Sequence, residues 1–425
     1  MHLEVIHVDG NAPAEKPTNL SLLAAAAGFL FSFRAAFVLI SARWLNIGTE
    51  PGVLAGFAMR ASLMIVFLIA AFGGNSHCSS RLFKERTFQW MILYALFTGC
   101  SIFWSAAASP AFSAVYWCGT AGDVVSVVLL ARSSGAVSAA LSLMKGFVAG
   151  TLVVAVMAWV MPAAEDLRLG DPDYFNTNQV ANLCAFALLM CSLLARYRED
   201  RWMIPAFFLG LTLIRSLSKA TVIAFIAAQA YRLTSDHAMS AKRKCLLVFG
   251  AVVVTLCFWG LLDSYFDIYT SADNQAETLT GRTGIWLWAL DAGLNRPIAG
   301  NGFDAMWKVA PPFGGELFEA RHTENEVLQQ FFAYGLCGVA LLIGVYGNLY
   351  RRFRRLVHSS DRSILISFLV FVVVRGLAEA EPFDLLLPLW LMTVLLCLIE
   401  PHQVEQQSVS TQTEHVDGAS VVPAV

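Results

Sequence analysis

Two groups of residues in this 425-residue chain have the types and spacing to do chemistry. The first is a set of cations inside apolar sequence: Arg34, Arg60, Lys145, Arg215 and Arg375 all fall within long hydrophobic runs. An ionisable side chain at membrane depth costs at least about 2.5–3.5 kcal/mol, so it needs a partner or a task. Lys219 follows Arg215, and Glu379 follows Arg375, at the i+4 spacing that puts both members of a pair on one helical face. Arg34 and Arg60 are expected to be structural, as neighbours of acidic groups that the sequence does not single out. Arg215, Lys219 and Arg375, near one membrane surface, predict an anionic ligand instead. A diphosphate suits them, because guanidinium groups grip phosphate oxygens in bidentate fashion and stay charged.

The second group is the run Arg321-His322-Thr323-Glu324-Asn325-Glu326, followed by Val327-Leu328-Gln329-Gln330. Thr323 and Glu326 match a capping box and predict a helix with Thr323 as its N-cap. His322 stands just before that start, where a helix offers unpaired N–H groups and the positive end of its dipole to an anion. Histidine ordinarily titrates near working pH, which makes His322 a candidate to take a proton from a hydroxyl group. No competing chemistry is legible. The chain has no Walker loop, no dinucleotide-binding glycine motif with an acidic partner, and no Cys/His cluster with metal spacing. No cofactor, metal or nucleic acid is therefore expected.

These residues must be positioned by membrane helices. Hydrophobic residues make up 57% of the chain and charged ones 14%, against roughly 25% charged in soluble domains; mean hydropathy is +0.60. Apolar runs such as Cys245–Asp263 and Val327–Tyr350 have the length, about 17–25 residues, that spans a bilayer. Breaking the chain at polar and Gly/Pro-rich joints predicts an all-α protein of about twelve spans: 20–41, 53–72, 88–104, 111–131, 136–161, 178–195, 202–218, 220–232, 245–263, 327–350, 363–378 and 385–399. The short 220–232 follows Ser216-Leu217-Ser218, so it and its predecessor are a candidate broken or re-entrant pair.

Lys and Arg concentrate in alternate loops, at Arg81/Lys84/Arg86, Arg132, Arg196/Arg198/Arg201, Arg232/Lys242/Arg243/Lys244 and Arg351/Arg352/Arg354/Arg355 with Arg362. The positive-inside rule then puts both termini in the cytoplasm and the one long loop, 264–325, outside. Within that loop Gly281–Leu290 reads as an amphipathic, Trp-bearing helix suited to the interface, and Asn295-Arg296-Pro297 and Gly300-Asn301-Gly302 read as turns. Residues 1–19 form a cytoplasmic segment before a retained first helix, 20–263 the first nine spans, 326–400 the last three. The polar tail 401–425 is expected to be disordered. The nine cysteines sit in apolar runs or, for Cys78, in a basic loop, and are expected to be packing residues.

In four places the chain resembles the superfamily of Wzy-type O-antigen polymerases and O-antigen ligases. Ile102-Phe103-Trp104-Ser105 resembles a Trp-Ser motif closing an early span. Phe175-Asn176-Thr177-Asn178-Gln179-Val180-Ala181 resembles the Asn-containing start of a middle span. Gly281-Arg282 with Trp286, then Pro297-Ile298-Ala299-Gly300-Asn301-Gly302-Phe303, resembles an outer-loop pattern of Gly-Arg, Trp and Pro-x-x-Gly-x-Gly. His322 through Gly338 resembles a His-Asn-x-x-Leu-Gln segment followed by Gly-Leu-x-Gly. Two departures stand out. Ser218-Lys219 replaces the family's Ser-Arg, with Arg215 one turn earlier as a possible substitute. The His-Asn pair is also split: if Asn325 is the counterpart, Glu324 takes the histidine position, so His322 is placed first and Glu324 second as the base.

The resemblance implies a GT-C-like, metal-independent membrane glycosyltransferase of the bacterial inner membrane, with an undecaprenyl-diphosphate-linked glycan as donor. It implies that Arg282, Arg215 and Lys219 hold the diphosphate and stabilise it as it leaves. His322 would deprotonate or orient the acceptor hydroxyl. Arg375 is a further phosphate-site residue, and Glu379, Asn325 and Gly281 would support the site. Partners would be the bilayer, the lipid-linked glycan, and a chain-length regulator and flippase of the same pathway. A polymerase similar to the xanthan-type enzymes is preferred on the split His-Asn motif. A ligase acting on lipid A core, or a transporter binding the same diphosphate, are the alternatives.

Overall fold

The computed structural model describes residues 19–73, 86–133, 136–162, 167–171, 174–196, 202–271, 279–313, 320–356, 359–380 and 393–395. The expected last span, 385–399, therefore lies outside the described residues except for 393–395. So do Cys78, Arg81, Lys84, Arg198, Arg201 and the tail 401–425.

Among the described residues the chain is helical, with no strand; a single isolated bridge pairs Asp171 with Phe175. In chain order the helices are α1 (Asn19–Phe33), α2 (Ala35–Leu39), α3 (Glu50–Gly73), α4 (Arg86–Cys100), α5 (Pro110–Ser133), α6 (Ala136–Val160) and α7 (Thr177–Arg196). They continue as α8 (Met203–Arg215), α9 (Lys219–Ser235), α10 (Ala241–Cys257), α11 (Trp259–Ser271), α12 (Leu279–Leu294), α13 (Glu326–Arg354) and α14 (Ser359–Gly376). Six of the described helices are long and apolar enough to cross a bilayer, or eight if each of two bent pairs is one span. A multi-pass membrane protein follows from that composition.

The bent pairs lie where the first and ninth expected spans were drawn straight. Ser21–Phe33 and Ala36–Trp44 meet at 60°, and Ala241–Cys257 meets Trp259–Phe266 at 57°. At the first bend Arg34 turns to Asp123 of α5, Nη1 to Oδ2 2.6 Å, while Arg60 of α3 approaches the same oxygen with Nε at 3.7 Å. Asp123 is the acidic partner that the sequence did not reveal. It ties three helices together where an unpaired charge would be prohibitive. The broken pair at 202–232 is two helices, α8 and α9, separated by Ser216, Leu217 and Ser218.

Small residues let backbones meet, as membrane helices require without a hydrophobic force between them. A Cβ on Gly146 of α6 would collide with the carbonyl of Ala25 in α1, so that pair packs main chain to main chain. At the centre lies α7, buried on nearly every side. The seven described cysteines are free; Cys184 and Cys191 are buried, while Cys100, Cys118, Cys245 and Cys257 are exposed.

Where described, the segment 264–325 is not a loose loop. Helix α13 is broken at Gly335 (φ 62°), and the Pro297–Gly302 turn plugs the break. Leu336 N–H donates to Pro297 O (2.7 Å) and Cys337 N–H to Ile298 O (3.2 Å), while Asn301 N–H reaches Phe332 O (3.0 Å) and Gly302 N–H reaches Ala333 O (2.7 Å). Four backbone groups beside the kink, the N–H of Leu336 and Cys337 and the carbonyls of Phe332 and Ala333, are thus satisfied by the turn, as an apolar setting demands. The Trp104-Ser105 motif braces the same turn: Trp104 Nε1–H donates to Ala299 O (3.2 Å) and Ser105 Oγ–H to Phe303 O (2.6 Å). These motifs are the scaffold of the site rather than its chemistry. A Cβ on Gly335 would strike the carbonyl of Ile298 while holding a left-handed backbone. Gly335→Ala is expected to destabilise by at least about 2 kcal/mol, from the backbone conformation and the clash together. Thermal unfolding of the detergent-purified variant checks this; a wild-type midpoint would contradict the plug.

Candidate functional site

Five chain segments converge at one end of the bundle: the loop before α7, the start of α7, the α8–α9 turn, the start of α12, and the α13 start facing the α14 end. Arg282 lies in the first turn of α12, one residue after Gly281. Its Nη2 is 3.2 Å from Glu324 Oε2 and 3.6 Å from Glu379 Oε1, and its Nη1–H donates to Ala378 O at 2.9 Å. Trp286, one turn on, donates Nε1–H to Thr323 O (2.7 Å) and holds the His322 loop against α12.

The capping box is corrected here. The N-cap of α13 is Asn325, whose Oδ1 accepts from Leu328 N–H at 3.0 Å; Glu326 is already the first helical residue and accepts from Gln330 (2.7 Å). Thr323 is held elsewhere: its N–H donates to Gln329 Oε1 (3.0 Å) and its hydroxyl to Asn325 O (2.7 Å). Asn325 Nδ2 also donates to Leu377 O (2.9 Å), clasping the start of α13 to the end of α14. His322 Nδ1 lies 3.3 Å from Glu324 Oε1 and 3.4 Å from Glu324 N. One nitrogen cannot donate to the first and accept from the second. The charged carboxylate is the stronger partner, so Nδ1 carries the proton and Nε2 is the basic nitrogen.

Asn178, in the first turn of α7, is the hub on the opposite wall. Its Nδ2 donates to Glu379 Oε1 (2.8 Å), and its Oδ1 accepts from Arg168 Nη2 (3.0 Å) and the Ser218 hydroxyl (2.8 Å). Arg215 donates to Leu167 O (2.6 Å), the residue before Arg168. Arg375 is buried, and its charge bears on Glu379 across the turn that ends α14. Three non-glycine residues in left-handed backbone stand at these joints: Leu167 (φ 64°), Leu217 (φ 57°) and Glu324 (φ 54°). Each costs on the order of 1–3 kcal/mol and persists where the surroundings over-determine it, a pattern concentrated at functional sites.

The structure therefore gathers Arg282, His322, Glu324, Asn325, Arg375 and Glu379 into one cluster, to which Arg215 is linked through Leu167, Arg168 and Asn178. Lys219 adjoins it through the backbone of Ser218, but its ammonium is exposed and lies over the Tyr265 ring at 5.3 Å. Sequence reasoning missed Arg168, which no motif marks, and the linking roles of Ser218 and Asn178. Both of the latter stood inside resembling motifs without a partner to reveal their use.

Glu379 lies beyond the end of α14 and is pushed up to about 6, first by burial and then by the Glu324 carboxylate, against the pull of Arg375, His322 and Arg282. Above that pH it is ionised and competes with a bound anion for Arg282; below it the competition is lost. The affinity for a lipid-linked repeat unit, whose doubly esterified diphosphate keeps its charge, should rise severalfold from about pH 7.5 to about 5.5. Titration of binding in nanodiscs checks this, and Glu379→Gln should flatten the slope. A slope equally steep in that variant would assign it to another group.

Residues 204–343 match the family model described as O-antigen ligase, Wzy_C. The match runs from α8 into α13 and takes in Arg215, Lys219, Arg282, His322, Glu324 and Asn325. It leaves out Arg168, Asn178, Arg375 and Glu379, which complete the cluster from the segments on either side. No curated protein matches the chain. Roughly a third of the chain, carrying the α8–α9 turn, α12 and the His322 loop, thus matches the O-antigen ligase family model, consistent with the O-antigen ligase and polymerase superfamily.

Proposed function

We propose that the protein polymerises polyprenyl-diphosphate-linked oligosaccharide repeat units on the periplasmic face of the bacterial inner membrane. The observation that carries this reading is the convergence of Arg282 with His322, through the single carboxylate Glu324. Arg282, Arg215, Arg168 and Arg375 supply the positive field for the donor diphosphate, and Lys219 lies at its rim. Glu324 orients His322 by its Nδ1–H. His322 Nε2 takes the proton of the acceptor hydroxyl as that oxygen attacks the anomeric carbon and the carbon–oxygen bond to the diphosphate breaks. The pair of electrons leaves on the diphosphate, whose charge the guanidinium groups stabilise more as it develops. No metal takes part in this scheme, because those groups provide the charge. The reading carries with it twelve spans, a GT-C-like architecture and cytoplasmic termini, supported by the alternation of basic loops.

The family model's description favours a second reading, transfer of a finished glycan to lipid A core. Glycans from cells lacking their own copy separate the two. Single lipid-linked repeat units accumulating on the carrier indicate a polymerase; long chains stranded on the carrier indicate a ligase. Normal surface polysaccharide without the protein would remove both.

A further inference from the structure

The helices that carry the candidate site enclose a polar cavity at their far ends. Helices α9 and α13 end there and α14 begins there, whereas the Arg282 cluster gathers at the opposite ends of the same helices. Helix α9 has 17 residues, which at about 1.5 Å each puts roughly 25 Å between the two places. The cavity holds about 520 Å³, within the range of about 300–1,000 Å³ usual for ligand sites. Tyr231 and Ser235 of α9, Tyr350 and Arg354 of α13, and Arg362 and Ile366 of α14 line it. Each pair is spaced i, i+4, so each helix turns one face to the cavity.

Basic residues are ordinary at the cytoplasmic ends of membrane helices. What sets Arg354 and Arg362 apart is that they come from different helices to one cavity and bring no carboxylate with them. Among the described residues no acidic side chain lines it. The acidic residues that adjoin it in sequence are engaged elsewhere. Asp236 is 3% exposed, accepts from the Ser360 hydroxyl (2.9 Å) and Ala238 N–H (3.0 Å), and bears on the charge of Arg232. Asp361 Oδ1 lies 3.3 Å from Arg196 Nε. Arg354 rests over the Tyr350 ring at 5.8 Å, and Arg362 Nη1–H reaches Leu356 O only at 3.5 Å. Among the described residues neither forms an ion pair. Two guanidinium forks facing a polar space suit the oxygens of a phosphate.

We propose that this cavity binds the phosphodiester head group of an anionic phospholipid in the cytoplasmic leaflet. Basic pockets between membrane helices on that side take such head groups. The walls fit a lipid better than a soluble anion. Ile366 is buried at 3% exposure, while Tyr350 is 42% exposed at the level where aromatic rings border the head groups. The bound lipid would join the ends of α9, α13 and α14. Its binding is independent of the reaction proposed above.

The test is native mass spectrometry of the full chain in non-ionic detergent, titrated with phosphatidylglycerol or phosphatidylcholine of identical acyl chains. The wild type should bind its first phosphatidylglycerol about tenfold or more tighter than phosphatidylcholine, whose own cation shields the phosphate. Arg354→Gln with Arg362→Gln should remove that preference. Thr234→Phe is the second variant: Thr234 lines the cavity, and its hydroxyl donates only to Ala230 O and Tyr231 O of its own helix, so the ring fills space without altering charge. It should weaken phosphatidylglycerol binding by a similar factor. Lys242→Gln with Arg355→Gln, exposed cations outside the lining, should leave the preference intact. Thermal unfolding without added lipid shows that the variants are folded. Equal loss in both double variants, or a preference that survives Arg354→Gln with Arg362→Gln, overturns the site and leaves a diffuse surface attraction. Inorganic phosphate binding there as tightly as phosphatidylglycerol overturns the assignment to a lipid.

Discussion

Arg282→Ala is expected to lower turnover by about 10²–10³-fold, the usual effect of removing one preorganised group from a developing negative charge. Arg282 touches Glu324, Glu379 and the α14 terminus together. Its loss leaves two carboxylates facing a phosphate. Arg282→Lys keeps the charge but not the forked geometry, so it should recover only part of the rate. Turnover of the purified chain with a lipid-linked repeat unit checks both, alongside thermal unfolding to show that the variants are folded. A folded Arg282→Ala protein with wild-type turnover would remove the diphosphate assignment.

His322→Ala is the second large effect. A positioned general base contributes typically 10²–10⁴-fold, and the loss should fall on kcat, with donor KM nearly unchanged, because in the proposed mechanism His322 meets the acceptor and not the diphosphate. Glu324→Gln should cost less, since it weakens the orientation of His322 without removing the base. If Glu324→Gln instead abolishes turnover and His322→Ala leaves it intact, Glu324 is the base and the roles exchange. A steady-state comparison of the two variants decides between them.

Helix existence was legible in the sequence because apolar length alone encodes it: α3 to α7 and α13 stand where hydrophobic runs were read. The bends were not, because their causes are long-range. Arg34 bends the first span toward Asp123, eighty-nine residues away in sequence, and no local pattern announces that pairing. The start of α13 was misplaced by two residues for a related reason. Thr323 and Glu326 satisfy the local capping rule, but Thr323 is taken by Gln329 and Asn325, and the cap passes to Asn325, which also clasps α14. In the site, Arg282, His322, Glu324 and Glu379 could be named from type and motif. Arg168 could not, and Ser218 was legible only as a motif residue without a role, because only the fold of α7 brings both to the amide of Asn178.

The most direct test of the central claim is release of polyprenyl diphosphate by the purified protein in nanodiscs, given a lipid-linked repeat unit and a metal chelator. The account predicts one carrier diphosphate released for each repeat joined, with a ladder of longer lipid-linked glycans that Arg282→Ala and His322→Ala both suppress. Binding of the donor without release of diphosphate or lengthening, in wild-type protein supplied with acceptor, would contradict it.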